Sequence, residues 1–272
     1  MRLLLGAAVR QSIEAEVSER LAAIAKKGES VCIALFRVGE REDDRRYERS
    51  ILRACERLGI LTEQTAFSES VSEETLYAAL REAAIDERID GILLFRPLPQ
   101  ALRTERIRTA VPPGKDIDGA LLEESAFTPC TPEGCMHLLK TYGIDPNGKR
   151  CVVVGRSPVV GKPLANLLRT AGGEVVVCHT QTPDVRAETR QAELLFVACG
   201  KPEMIDQSYL REGQTIIDVG FHTIDGRICG DVKAQDAELL ASAYTPVPGG
   251  VGACTLSVLM LHAVQAHEGK PV

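Results

Sequence analysis

Three features are missing from this chain, and each absence narrows its function. None of the nine cysteines, at 32, 55, 130, 135, 151, 178, 199, 229 and 254, is spaced C-x-x-C. That spacing and the odd count argue against a zinc knuckle and a disulfide framework. Scattered thiols read instead as small buried hydrophobes in a reducing compartment, so a cytoplasmic location is expected. The nearest approach to a ligand cluster, Cys130, Cys135 and His137, matches no standard zinc spacing, and no metal is expected. No stretch reaches the roughly 18 apolar residues of a membrane span. The short apolar segment at 3–9 follows a single arginine and runs straight into a charged amphipathic pattern, unlike a leader peptide. A basic excess is absent too: 32 Lys and Arg stand against 38 Asp and Glu, a net charge of −6. Nothing in the global charge draws the chain to nucleic acid or anionic lipid, and an anionic ligand needs a local basic site.

What is present is ordinary globular composition, 44% hydrophobic and 26% charged, over 272 residues. That length predicts two domains, each able to bury a core. Apolar positions Val9, Ile13, Val17, Leu21 and Ile24 recur at helical spacing until Gly28. A strand at 31–36, a helix at 43–58 with Tyr47, Ile51, Cys55 and Leu58 on one stripe, and a strand at 60–67 follow. Ser70 and Glu73 read as a capping box before a helix that turns Leu76 and Leu80 inward. A short apolar run at 91–95 is then stopped by Pro97 and Pro99. After a break at 111–118, a connecting helix at 132–142 leads to four buried-type strands at 151–154, 175–178, 194–198 and 215–219. A terminal helix is expected at 254–267. Alternation of β and α at this spacing predicts an α/β protein with parallel sheets covered by helices.

Between the strand at 151–154 and the next helix lies Gly155-Arg156-Ser157-Pro158-Val159-Val160-Gly161-Lys162-Pro163. Its glycines suit a tight turn and close approach of backbone to a pyrophosphate, and Pro163 fits the first helical turn. The loop departs from G-x-G-x-x-G by carrying Ser157 in place of the second glycine, so a purely structural turn stays open as a reading. An acid that would bind the ribose 2′-hydroxyl of NAD is missing from the end of the second strand, which reads Cys178-His179-Thr180. With Arg156 and Thr180 nearby, a 2′-phosphate is accommodated better, and NADP is expected over NAD, with NAD still possible.

Several blocks then fall in a familiar order. These are Pro129-Cys130-Thr131-Pro132-Glu133-Gly134, the Gly155 to Pro163 loop, Asp218-Val219-Gly220, and Thr245-Pro246-Val247-Pro248-Gly249-Gly250-Val251-Gly252. With Lys115-Asp116-Ile117-Asp118-Gly119 and the Pro-Leu-Pro at 97–99, the chain resembles the methylenetetrahydrofolate dehydrogenase/cyclohydrolase (FolD) family over nearly its whole length. The resemblance implies two α/β domains, with folate in the cleft between them. A folate-binding catalytic domain at 1–139 would be completed by a C-terminal helix at 253–272. A Rossmann-type NAD(P)-binding domain would occupy 140–252. It also implies a homodimer acting on a small-molecule folate. By the same resemblance, Tyr47 and Asp118 would position the folate, Asp118 by accepting from the aminopyrimidine N–H edge. Pro248, Gly249, Gly250, Val251 and Gly252 would line the folate and nicotinamide pocket. Gly155, Arg156, Ser157, Val160, Gly161, His179, Thr180 and Phe221 would contact the cofactor, Phe221 standing where a smaller aliphatic is usual.

The chain departs from the family pattern where the implied chemistry is most specific. The family's acid/base lysine lies one helical turn after the tyrosine; here that position is Ile51, and no lysine occurs between 41 and 60. The family's glutamine position holds Phe95. Arg53 and Arg96 lie near in sequence, but a guanidinium stays protonated and cannot serve as the base, although either could hold a folate carboxylate. Ala253-Cys254-Thr255 also replaces the family's Pro-Met-Thr, a change expected to shift the loop before it. The expected activity is therefore an NADP-dependent methylenetetrahydrofolate dehydrogenase with the cyclohydrolase step impaired or lost. Two alternatives stand beside it: a fully bifunctional enzyme in which another group moves the proton, and a non-catalytic folate- or nucleotide-binding paralogue.

Overall fold

The computed structural model describes residues 1–121 and 124–269; residues 270–272, at the end of the expected 253–272 segment, lie outside the described residues. The strands are β1 (Arg2–Leu3), β2 (Cys32–Val38), β3 (Leu61–Phe67), β4 (Gly91–Leu94), β5 (Arg150–Val154) and β6 (Glu174–Cys178). They continue as β7 (Leu194–Val197), β8 (Thr215–Asp218), β9 (His222–Ile224), β10 (Arg227–Cys229) and β11 (Ala243–Tyr244). The helices are α1 (Gly6–Lys26), α2 (Glu42–Leu58), α3 (Glu73–Ile85), α4 (Glu105–Arg108) and α5 (Cys130–Thr141). After them come α6 (Gly161–Thr170), α7 (Val185–Gln191), α8 (Ala234–Leu240) and α9 (Val251–His267). The result is the two-domain α/β architecture expected.

One compact unit comprises residues 13–128 and 259–272. Its sheet is parallel, in the order β3-β2-β4. All seven residues of β2 are buried, the pattern of a central strand covered on both faces. Phe36, Leu76, Leu80, Ile92 and Leu94 meet in its core. α2 begins with Glu42, Asp43 and Asp44, which suit the positive helix start, and ends at Gly59, whose φ of 77° a side chain would resist. α3 is capped by Ser72, whose hydroxyl accepts from the Thr75 amide. The expected capping box on Ser70 and Glu73 is thereby corrected: Glu73 opens the helix, and the Ser70 hydroxyl lies 3.1 Å from that of Ser68. The last turns of α9 return to this unit, where Arg20 of α1 donates to Glu268 at 2.5 Å.

The other unit comprises residues 1–12 and 129–258. Its six-stranded sheet runs β1-β11-β8-β7-β5-β6, with every pairing parallel. β5 lies between β6 and β7, so successive connections leave it in opposite directions, which makes a switch point at the carboxyl end of the sheet. Val152, Val154, Leu195, Val197, Ile216 and Tyr244 fill the core. The division of the chain differs from the one drawn on the sequence. Two-residue β1 pairs with β11, and α5 turns Gly134 against Cys254 of α9, so both chain segments fold with the nucleotide-type sheet. α9 also starts three residues before the expected 254, which puts Val251 and Gly252 in its first turn. Among the described residues no helix is long and apolar enough to cross a membrane.

Candidate active site

In the unit with the three-stranded sheet, the residues singled out gather at the carboxyl ends of β2 and β4. Phe95 continues β4, its amide donating to the Phe36 carbonyl at 2.9 Å. Its ring meets Tyr47 of α2 edge-on, with centroids 6.0 Å apart and planes at 75°. Ile51, one turn further along α2, is completely buried, and Phe95 is 6% exposed. The two positions therefore form apolar structure beside a half-buried tyrosine. Arg96 is exposed and lines a small cavity with Ile92, Leu94, Asp116 and Asp118.

Asp118 stands on a braced turn. The buried Asp116 carboxylate accepts from the amides of Ala120 (3.1 Å) and Leu121 (2.8 Å), and burial pushes its carboxyl above the ordinary range. On the other side the Ile117 carbonyl lies 2.8 Å from Nδ1 of the buried His262 in α9. Asp118 itself is half-buried. His262 was not among the residues expected from the sequence, because a histidine on an apolar helix stripe carries no mark of its partner 145 positions away.

In the other unit, the strand–loop–helix at β5 and α6 is built as a nucleotide loop requires. Gly155 has φ of 122°, and a side chain there would overlap the Ala198 carbonyl at the end of β7. A side chain at Gly161 would overlap the Gly155 carbonyl, so both glycines permit close packing of loop, helix and sheet. Ser157 in the middle accepts from the Val160 (3.2 Å) and Gly161 (3.4 Å) amides. At the end of β6, His179 Nδ1 accepts from the Gln181 amide at 3.2 Å, while Arg156 reaches Gln181 Oε1 at 3.4 Å. Arg156 and Thr180 are exposed, and His179 is half-buried. The edge where a ribose would lie thus presents a guanidinium, an imidazole and a hydroxyl, with Gln181 as a member not expected from the sequence.

The 245–252 segment divides into a rim and a base. Pro248, Gly249 and Gly252 are exposed, whereas Gly250 and Val251 are buried. Gly6 donates to the Gly249 carbonyl at 2.8 Å, which ties the rim to the start of α1. The replacement at Cys254 points away from the rim: it is fully buried beside Gly134, and Thr255 donates to Thr131 at 3.2 Å. Phe221, beyond β8, is 46% exposed. Cys130 and Cys135 are buried in α5, and His137 faces Glu133 at 3.6 Å.

A parallel sheet with a glycine loop at its switch point, joined to a second α/β unit, defines a two-domain protein with a Rossmann-type nucleotide-binding domain. Residues 4–118 match the catalytic domain of tetrahydrofolate dehydrogenase/cyclohydrolase, and residues 129–270 match its NAD(P)-binding domain. The chain is 40% identical to the bifunctional protein FolD of Nitratidesulfovibrio vulgaris, over 99% of this chain and 98% of that protein. It is similar in structure to the bifunctional FolD of Campylobacter jejuni, with a TM-score of 0.93 and 35% identity over 99% of each chain. The Trypanosoma brucei FolD complexed with NADP and inhibitor gives a TM-score of 0.91 and 29% identity, over 98% of this chain and 97% of that one. The chain belongs to the tetrahydrofolate dehydrogenase/cyclohydrolase family.

Proposed function

We propose that this family member is an NADP-dependent 5,10-methylenetetrahydrofolate dehydrogenase whose cyclohydrolase step is strongly reduced. The observation that carries the reading is the apolar pair itself: a wholly buried Ile51 and a Phe95 set edge-on to Tyr47, at the positions where the family resemblance places a lysine and a glutamine. Hydrolysis of a methenyl cation needs a group that moves a proton to and from water, and such a group is worth roughly 10² to 10⁴ in rate. Neither an alkyl nor a phenyl side chain does this. Hydride transfer makes no such demand, because it depends chiefly on holding donor and acceptor carbons in register.

In this reading Tyr47 offers its ring to the folate, and Asp118 accepts from the aminopyrimidine N–H groups. Pro248, Gly249 and Gly252 give a rim that backbone or ring can approach closely, with Gly250 and Val251 supporting it. The fit of the nucleotide rests on the glycines at 155 and 161, where any side chain would fill the space the loop needs. Gly155, Arg156, Ser157, Val160 and Gly161 would hold its phosphates, and Arg156 with His179 and Thr180 a 2′-phosphate. Phe221 would pack against the nicotinamide end. When bound, the nicotinamide supplies the hydride acceptor; the protein's part is to orient the folate and keep water from the one-carbon unit. Family likeness also supports a homodimer, and the scattered, mostly buried cysteines support a reducing, cytoplasmic setting. A second reading, the fully bifunctional enzyme, is favoured by the names of the relatives at 40% identity.

The test of the dehydrogenase is an assay of purified protein with methylenetetrahydrofolate and either NADP or NAD. Reduced nicotinamide should form, faster with NADP. No turnover with either, alongside thermal stabilisation by nucleotide or folate, would instead identify a binding protein.

A further inference from the structure

At the carboxyl ends of β7 and β8 two acidic side chains are sealed inside the nucleotide-binding unit. Asp218 is 1% exposed and Asp231 is 0% exposed. Asp218 is committed to backbone: Oδ1 accepts from the Gly220 and Asp231 amides, and Oδ2 from the Val232 amide, all at 3.0 Å. Asp231 is committed differently. Its Oδ2 accepts from the Cys199 (2.7 Å) and Gly200 (2.9 Å) amides just beyond β7, while Oδ1 lies 2.7 Å from His222 Nε2.

The position of His222 gives this contact leverage. It opens β9 and pairs in register with Cys229 of β10, so its bond to Asp231 closes the base of the hairpin. Phe221 immediately precedes it. Dinucleotides bind beyond the carboxyl ends of parallel strands, with the two nucleotide halves on either side of the switch point. The β6 side carries Arg156, His179 and Thr180; the β7 and β8 side carries the Cys199–Gly200 turn and Phe221. A buried carboxylate that loses one partner must turn or take a proton, because leaving an oxygen unpaired is costly. Either change loosens its hold on the turn.

We propose that His222 is a positioning residue for the dinucleotide: by holding Asp231 it fixes the Cys199–Gly200 turn and the Phe221 side of the nucleotide-binding face. The assignment rests on nucleotide binding by this domain and goes beyond it by naming the device that shapes the nicotinamide side. His222→Leu removes the donor while keeping bulk, and His222→Gln restores an N–H at similar reach.

The experiment is a calorimetric titration of each protein with NADP and with NAD, with hydrogen exchange read at the amides of the turn. His222→Leu should weaken NADP binding roughly 10- to 100-fold, as expected for loss of a hydrogen bond to a charged group, and His222→Gln should restore it to within about threefold. Exchange at Cys199 and Gly200 should quicken in the leucine variant, while exchange at Asp231 and Val232, which Asp218 holds, stays as it was. In steady state the nucleotide KM should rise with the folate KM unmoved. In the unaltered protein, which needs no variant to fold, the His222 ring resonances should shift when NADP is added. A lowered melting temperature with unchanged nucleotide affinity would overturn the assignment and leave His222 merely structural, as would ring resonances indifferent to NADP. Failure of the unaltered protein to bind either nucleotide would overturn the nucleotide reading as well, so the two failures are told apart.

Discussion

The carboxyl edges of the two sheets make opposite uses of buried polarity. Beyond β7 and β8 the nucleotide-binding unit seals Asp218 and Asp231, joined by the half-buried His222, in a network that satisfies backbone amides from three segments. Beyond β2 and β4 the other unit places Ile51 and Phe95 next to Tyr47. The first arrangement holds backbone in a binding shape, a task for which any well-placed carboxylate suffices. The second belongs to a place where chemistry would depend on the type of side chain, and there the types are apolar. On the proposed reading, dinucleotide binding would persist on backbone geometry while the proton-transfer step would be lost with two residues.

The comparison can be broken most severely at Gly155. Gly155→Val places a side chain against the Ala198 carbonyl at a φ of 122°. We expect a loss on the order of 3–5 kcal/mol in stability, read by denaturant unfolding, and nucleotide binding below detection. In the apolar region the informative change is a gain. Ile51→Lys combined with Phe95→Gln should raise methenyltetrahydrofolate hydrolysis at least about tenfold, since the group restored is worth roughly 10² to 10⁴. An unchanged hydrolysis rate in a folded double variant would show that these positions do not limit that step. Asp118→Ala should raise the folate KM roughly 10- to 100-fold, with nucleotide affinity unmoved; equal effects on both ligands would point to collapse of the turn. Arg156→Ala should weaken NADP about tenfold and leave NAD unaltered, measured as the ratio of the two dissociation constants.

The smallest effect concerns the buried acids. Burial pushes the Asp218 carboxyl up to about 7, above its ordinary value near 3.8. The folded state therefore binds more protons than the unfolded state between those values. Its contribution to stability is complete below about pH 4 and is lost as pH rises through 7, by at most about 1.4 kcal/mol per pH unit. Urea midpoints from pH 5 to 8 should fall more steeply for the natural protein than for Asp218→Asn. Parallel curves would show that this carboxyl does not titrate in that range.

Much of the fold was legible because buried strands and striped helices leave periodic marks. The strands of the larger sheet at 151–154, 175–178 and 215–219, and the helix at 43–58, stand within a residue or two of their predicted places. What escaped were elements defined by distant partners. β1 has two residues and pairs with β11 some 240 positions away, so no local pattern announces it. The β9–β10 hairpin did leave a mark: Asp225-Gly226, with φ of 49° and 79°, is the turn dipeptide that such hairpins favour. The spacing from Ser70 to Glu73 fits a capping box, but the cap is made by Ser72, the serine that immediately precedes the helix. Of the site, Tyr47, Ile51, Phe95 and the glycine loop could be picked out by motif. His222, Asp231 and His262 could not, since each acts through a partner chosen by tertiary packing.

The most direct test of the central claim is the fate of added methenyltetrahydrofolate. With the purified protein, in the absence of nucleotide, its absorbance should decay at the buffer rate, while the same preparation converts methylenetetrahydrofolate and NADP to methenyltetrahydrofolate and reduced nicotinamide in equal amounts. Decay well above the buffer rate would contradict the account, because it would mean that a group other than residues 51 and 95 carries the proton.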